Sequence, residues 1–128
     1  IYDPHDGRKF VNIESIRLDD FFQDSNMEID FIKSNIQGAD FAAILGMSDI
    51  IKKSKNLEMI AEFSSPLLEG FGFSSKEFLT TLQNFGFKLY DLDSLEKKIT
   101  PIEIEIFLEK YSSEKDTGTT IFCTKNSL

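Results

Sequence analysis

Residues 31–40 read FIKSNIQGAD, an apolar run that gives way to Asn35, Gln37 and Asp40 around Gly38. These types divide by what they can do. A carboxylate such as Asp40 can take a proton, whereas the amides of Asn35 and Gln37 can only orient a neighbour by hydrogen bonds. A turn needs polar residues on its own account, so loop solvation competes with an active-site role. For Asp40 the plain alternative is a carboxylate at a helix N-terminus, an arrangement worth a few tenths to about 1 kcal/mol. Gly38 implies either a positive φ or a close backbone approach. Two further acids stand at the ends of apolar patterns. Glu62 closes LEMIAEF and competes with a plain surface glutamate, and Asp19 sits in LDDFF, where capping is the simpler role. Lys33, inside an apolar run, either reaches solvent along its stem or pairs with Asp30 or Glu62.

Hydrophobic spacing supplies the elements that would carry these groups. KFVNIESIRL has Val11, Ile13 and Ile16 and is expected to be a half-buried strand. A helical turn over 18–22, a loop and a strand over 28–34 follow. From 40 to 53, Phe41, Ile44, Leu45, Ile50 and Ile51 have helical spacing, and Gly46 divides the stretch into two pieces. A strand covers 57–63. LLEGFGF is expected as a connection packed on the core, with a flexible cover over a pocket as the alternative. Ser74 and Glu77 have capping-box spacing, and the helix they open presents Phe78, Leu79, Leu82 and Phe85 before Gly86 stops it. A strand over 87–92 comes next. Thr100, Pro101 and Glu103 then read as cap, N1 and N3 of a helix with Ile104, Phe107, Leu108 and Tyr111 on one face, although IEIEIF alternates like a strand. A strand over 119–125 closes the chain. Alternating strands and helices predict α/β layers around a largely parallel sheet, with ligands at the carboxyl ends of the strands. The 35–40 turn and Glu62–Ser65 would then share the functional edge. No glycine-rich phosphate loop is visible.

At 128 residues the chain has material for one domain, and 41% hydrophobic with 28% charged residues is the balance of a folded one. A formal charge of −8 without a basic cluster argues against binding a phosphate backbone, so no nucleic-acid partner is expected. Cys123 is the single cysteine, so no internal disulfide can form; in the run IFC it reads as a buried thiol. No apolar run has bilayer-spanning length and no signal-peptide pattern opens the chain, so the expected location is cytoplasmic, off the membrane. His5, in YDPHDGRK, reads as a loop residue rather than a ligand, and no compact acidic spacing specifies a metal.

RLDD at 17–20, FIKSNIQGAD at 31–40, ILG at 44–46, AEF at 61–63, NFGFKLY at 84–90 and TTIFCTK at 119–125 occur in that order. Together they resemble the second half of an FkbM-type methyltransferase, whose pattern runs through a leucine-aspartate turn, I-K-x-D-x-x-G-x-E, L-x-G, E-F and G-[FY]-x-L-Y. The resemblance implies an α/β, Rossmann-like class I methyltransferase fold, with residues 1–128 forming its second half from the fourth strand onward. It implies S-adenosylmethionine as cofactor, its main binding loop upstream of Ile1, and a hydroxyl of a small molecule or sugar as acceptor. With the resemblance beside the residue reading, Glu62 and Asp40 are the candidate catalytic residues, and Asn35, Gln37, Gly38 and Asp19 the candidate contacts to substrate or cofactor. The chain departs from the pattern at Ser34, Asn35 and Gln37, the last two where the family carries acids, and Asp40 replaces a glutamate. Those departures keep a second reading open: a catalytically weakened domain used for binding or assembly. A half sheet would leave the strand over 28–34 as an open edge, to be covered by a missing N-terminal half or by a second copy in a homo-oligomer.

Overall fold

Alternation governs strand β2 (Glu58–Ser64): Met59, Ala61 and Phe63 are buried, while Ile60, Glu62 and Ser64 on the other face are partly exposed. The computed structural model describes residues 11–93, 96–115 and 117–126, and sets this strand in a five-stranded sheet. The other elements are α1 (Leu18–Phe21), β1 (Phe31–Ser34), α2 (Asp40–Leu45), α3 (Ser48–Lys53), α4 (Ser65–Gly70), α5 (Ser75–Asn84), β3 (Lys88–Asp93), β4 (Lys98–Pro101), α6 (Ile104–Lys110), a 3-10 turn over Ser113–Lys115 and β5 (Gly118–Thr124). The mixed α/β class follows the sequence pattern.

Strand order is β1-β2-β5-β3-β4. β1 and β2 pair in parallel, whereas β5 is antiparallel to both its neighbours and β4 is antiparallel to β3. The expectation of a largely parallel sheet is therefore corrected: only one neighbouring pair is parallel, although β1, β2 and β3 share a direction. Connectivity supplies the reason. β4 returns the chain to the start of β3, where Ile102 donates its N–H to Leu89 O. α6 then carries it to the far end, where Tyr111 O accepts from Ser65 Oγ at 2.7 Å. β5 thus enters beside the carboxyl ends of β2 and β3 and must run back between them.

Helices α2 to α6 share one apolar core with the buried face of the sheet. Phe63 sits within it, its ring centroid 4.9 Å from Phe107 and 6.2 Å from Phe78. On the opposite face Ile60, Phe122 and Tyr90 lie in one row by register, and with Leu92 they are partly exposed and stand outside this core.

Three local expectations fail. Residues 11–17 form no strand, and Val11 and Ile13 are more than four-fifths exposed. Alternation makes a strand only where a neighbouring edge takes the backbone hydrogen bonds, and none among the described residues does so. LLEGFGF is not a connection throughout: its first half lies in α4, which opens with Pro66 in the first turn and buries Leu68. Thr100 and Pro101 belong to β4 rather than to a helix start, and α6 begins at Ile104. The β3 pairing extends through Ile102, and Pro is tolerated on an edge strand. The expected inner face survives the shift, with Phe107 and Tyr111 buried. Gly46 does end α2, and Ser74 Oγ does accept from Glu77 N at the start of α5.

Candidate functional site at the strand ends

Parallel register sets Ser34 of β1 opposite Ala61 of β2, so the turn that begins at Asn35 emerges level with Glu62. Reversing from strand into helix takes two consecutive left-handed residues, Gln37 at φ 54° and Gly38 at φ 96°. Gly38 is required twice over. A Cβ there would lie 2.5 Å from the carbonyl oxygen of Leu67, so the corner packs backbone to backbone against α4.

Asp40 is 1% exposed and holds this corner shut. One carboxylate oxygen accepts from the Ser34 hydroxyl, and the other from the N–H of Gly38 at 3.3 Å and of Ile36 at 3.4 Å. Both oxygens are engaged by residues close in the chain, so Asp40 braces the corner. Above it, Gln37 Nε2 donates to Asn35 Oδ1 at 3.0 Å and to Glu62 Oε2 at 2.8 Å. Acids at 35 and 37 could not form this bridge, because an ionised carboxylate donates nothing. Among the described residues, Glu62 Oε1, Gln37 Oε1 and Asn35 Nδ2 keep their hydrogen-bonding capacity for a ligand.

Asn35, Gln37, Gly38, Asp40 and Glu62 therefore come together as the sequence expected. Asp19 serves a different place. It accepts from Asp49 N and Ile50 N at 3.1 Å and from Ser48 Oγ at 3.3 Å, capping α3 rather than its own short turn. Burial alone would raise its pKa, but these hydrogen bonds and the Arg17 guanidinium outweigh it and hold the carboxyl below its usual range. Lys33 pairs with neither Asp30 nor Glu62 among the described residues. His5 lies outside the described residues. Cys123 is fully buried, and burial pushes its thiol up, away from the reactive thiolate.

A second polar cluster escaped sequence reasoning. Asp91, 5% exposed, accepts from Thr119 Oγ1 at 2.8 Å, Tyr111 OH at 2.9 Å and Lys110 Nζ at 2.9 Å. Lys110 also reaches Asp93 at 3.2 Å; its contacts with Tyr111, then Asp91, push its pKa up. One signal was available: Asp91 shares the inward parity of Leu89 in KLYDLD, and an acid on a buried strand face needs partners. An open cleft of about 560 Å³ connects the two clusters, bordered by Glu62, Leu92, Asp93, Lys110, Thr119 and Thr120. Among the described residues no group of three or more His, Cys, Asp or Glu side chains is placed to hold a metal, and no helix is long and apolar enough to cross a membrane.

A mixed sheet flanked by helices, with a carboxylate and two amides converging at the ends of its parallel pair, defines an α/β domain with a polar cluster at the strand ends. The family model for the methyltransferase FkbM domain matches residues 3–89, well over half of the chain, and the chain belongs to that family. The resemblance carried by RLDD, FIKSNIQGAD and AEF is thus borne out. The match takes in the 35–40 corner and Glu62 and stops within β3, so Asp91, Lys110 and Tyr111 lie beyond it. Neither the curated proteins nor the solved structures give a match.

Proposed function

We propose that this chain is the acceptor-side part of an S-adenosylmethionine-dependent O-methyltransferase acting on a hydroxyl of a small molecule or sugar. The observation that supports it most is Glu62, a carboxylate at the strand ends with one oxygen tied by Gln37 and the other left to accept a proton. S-adenosylmethionine, when bound, supplies a methyl group on a sulfonium, a good leaving group, so positioning and removal of the hydroxyl proton are the protein's tasks. Glu62 Oε1 would take that proton, a role worth roughly 10²–10⁴-fold in rate. Asn35 Nδ2 would orient the acceptor oxygen, while Asp40 and Gly38 keep the corner in shape.

The residues described here suit the acceptor better than the cofactor, since they offer no glycine-rich turn for it. Among the described residues β1 is an edge strand, and the sheet face carrying Ile60, Tyr90 and Phe122 lies outside the core; both support a Rossmann-like half sheet whose remaining strands and helices would hold the cofactor. A weakened, binding-only domain is the second reading, favoured by the amides at 35 and 37 where the family pattern has acids.

Calorimetry and turnover on the full-length protein separate the two. For the enzyme, S-adenosylmethionine binds, and Glu62→Gln leaves binding intact while lowering turnover on the order of 100-fold or more. Absence of binding at millimolar cofactor sinks the enzyme reading.

A further inference from the structure

Only two non-glycine residues among those described have positive φ, and Lys97 is explained by the turn between β3 and β4. Gln37 likewise lies in a turn, from β1 into α2, where the backbone calls for a left-handed residue but not for this side chain. A glycine at position 37 would hold φ 54° without the steric cost a side chain brings. What the glutamine side chain adds is the double hydrogen bond: both Nε2 protons are committed, one to Asn35 and one to Glu62. Asn35 and Gln37 belong to the corner and Glu62 to the next strand, so this amide is the side-chain link across the strand ends. Without it Glu62, partly exposed, has no hydrogen-bond partner among the described residues and is free to sample several rotamers.

We infer that Gln37 is a positioning residue, kept in a strained backbone conformation because its amide fixes the Glu62 carboxylate with Oε1 free and Asn35 with Nδ2 free. The inference rests on the reading of Glu62 as the base. A turn position that glycine would fill with less strain, held instead by a glutamine whose amide bridges two neighbours, marks a residue retained for what its side chain does. The neutral amides at 35 and 37 acquire a purpose as well. They leave Glu62 as the single carboxylate at this position, bridged rather than repelled by its neighbours.

Gln37→Gly removes the side chain and relieves the strain together, so structural and positioning roles predict opposite results. The full-length wild-type protein, Gln37→Gly, Gln37→Asn and Glu62→Gln are compared for Tm, for the KM of S-adenosylmethionine and for kcat, read as S-adenosylhomocysteine released with a panel of free monosaccharides. The inference expects Gln37→Gly to melt no lower than wild type, while kcat falls on the order of 100-fold with the cofactor KM unchanged. Gln37→Asn, too short to span both partners, restores at most part of the loss. In nitrogen-15 NMR spectra one Gln37 Nε2 proton should be shifted downfield in wild type and lose that shift in Glu62→Gln. Turnover of Gln37→Gly equal to wild type, a loss of kcat that tracks a fall in Tm, or a Gln37 amide insensitive to Glu62 overturns the inference. Full turnover in Glu62→Gln, or no turnover in wild type, sinks the transferase reading itself, and this inference with it.

Discussion

Glu62 and Asp91 are both acids near the carboxyl ends of strands, they border or adjoin the same cleft, and the fold treats them in opposite ways. Asp91 is buried and saturated by three side chains drawn from α6, its C-terminal flank and β5. Glu62 is partly exposed, takes one hydrogen bond from Gln37 and keeps an oxygen unused. A saturated buried carboxylate is a structural tie, because every lone pair given to the protein is withheld from a ligand. An exposed one held at a single oxygen is positioned and still available. Asp40 belongs with Asp91 in this division, and that is why Glu62 is the acid of the three left with an oxygen open to a ligand.

The largest expected effect breaks the tie. Asp91→Ala should cost on the order of 3 kcal/mol in denaturant unfolding, since it strands the buried Tyr111 hydroxyl and leaves Lys110 with Asp93 alone. A loss no larger than that of Glu62→Ala would erase the distinction between the two acids. Gly38→Ala tests the other corner. A side chain at φ 96° against the Leu67 carbonyl should cost about 2–3 kcal/mol and displace Gln37 and Asn35, lowering turnover as well. A variant of wild-type stability would mean that the corner is looser than its backbone contact with α4 implies.

The smallest effect concerns Asp19 and depends on pH. Its carboxyl titrates lower in the folded protein than the ordinary 3.8, so its contribution is present above that value and is lost as pH falls through the folded pKa. Asp19→Asn should therefore lower stability by about 1 kcal/mol at neutral pH, and the difference from wild type should shrink on acidification below about pH 4. A difference that stays constant down to strongly acid pH would remove Asp19 from the capping role and reopen it as a site residue.

Legibility follows the sequence distance of the partners. Asp40 bonds to Ser34, Ile36 and Gly38, all within six residues, so FIKSNIQGAD showed both the corner and the competition between support and catalysis. The bridge from Gln37 to Glu62 spans 25 residues, yet it was approachable because adjacent parallel strands bring their ends together. Asp19 was read as the cap of its own turn, whereas its partners lie about 30 residues on, in α3. Asp91 was missed because Lys110, Tyr111 and Thr119 arrive through α6 and β5, and the hairpin that turns the chain toward them was itself read as a helix cap.

The sequence by itself determined the family, the buried faces of β2, α5 and α6, the Gly46 and Gly86 stops, and the residues gathered at the 35–40 corner. Each of these rests on periodicity, a local cap or a spaced motif, which are short-range physics. Tertiary structure alone decided that β5 runs backward between β2 and β3, that the apolar residues of 11–16 stay unpaired, and which acid is tied and which is left available. Those outcomes depend on which edge is open and which donors arrive from distant elements, and no local pattern encodes either.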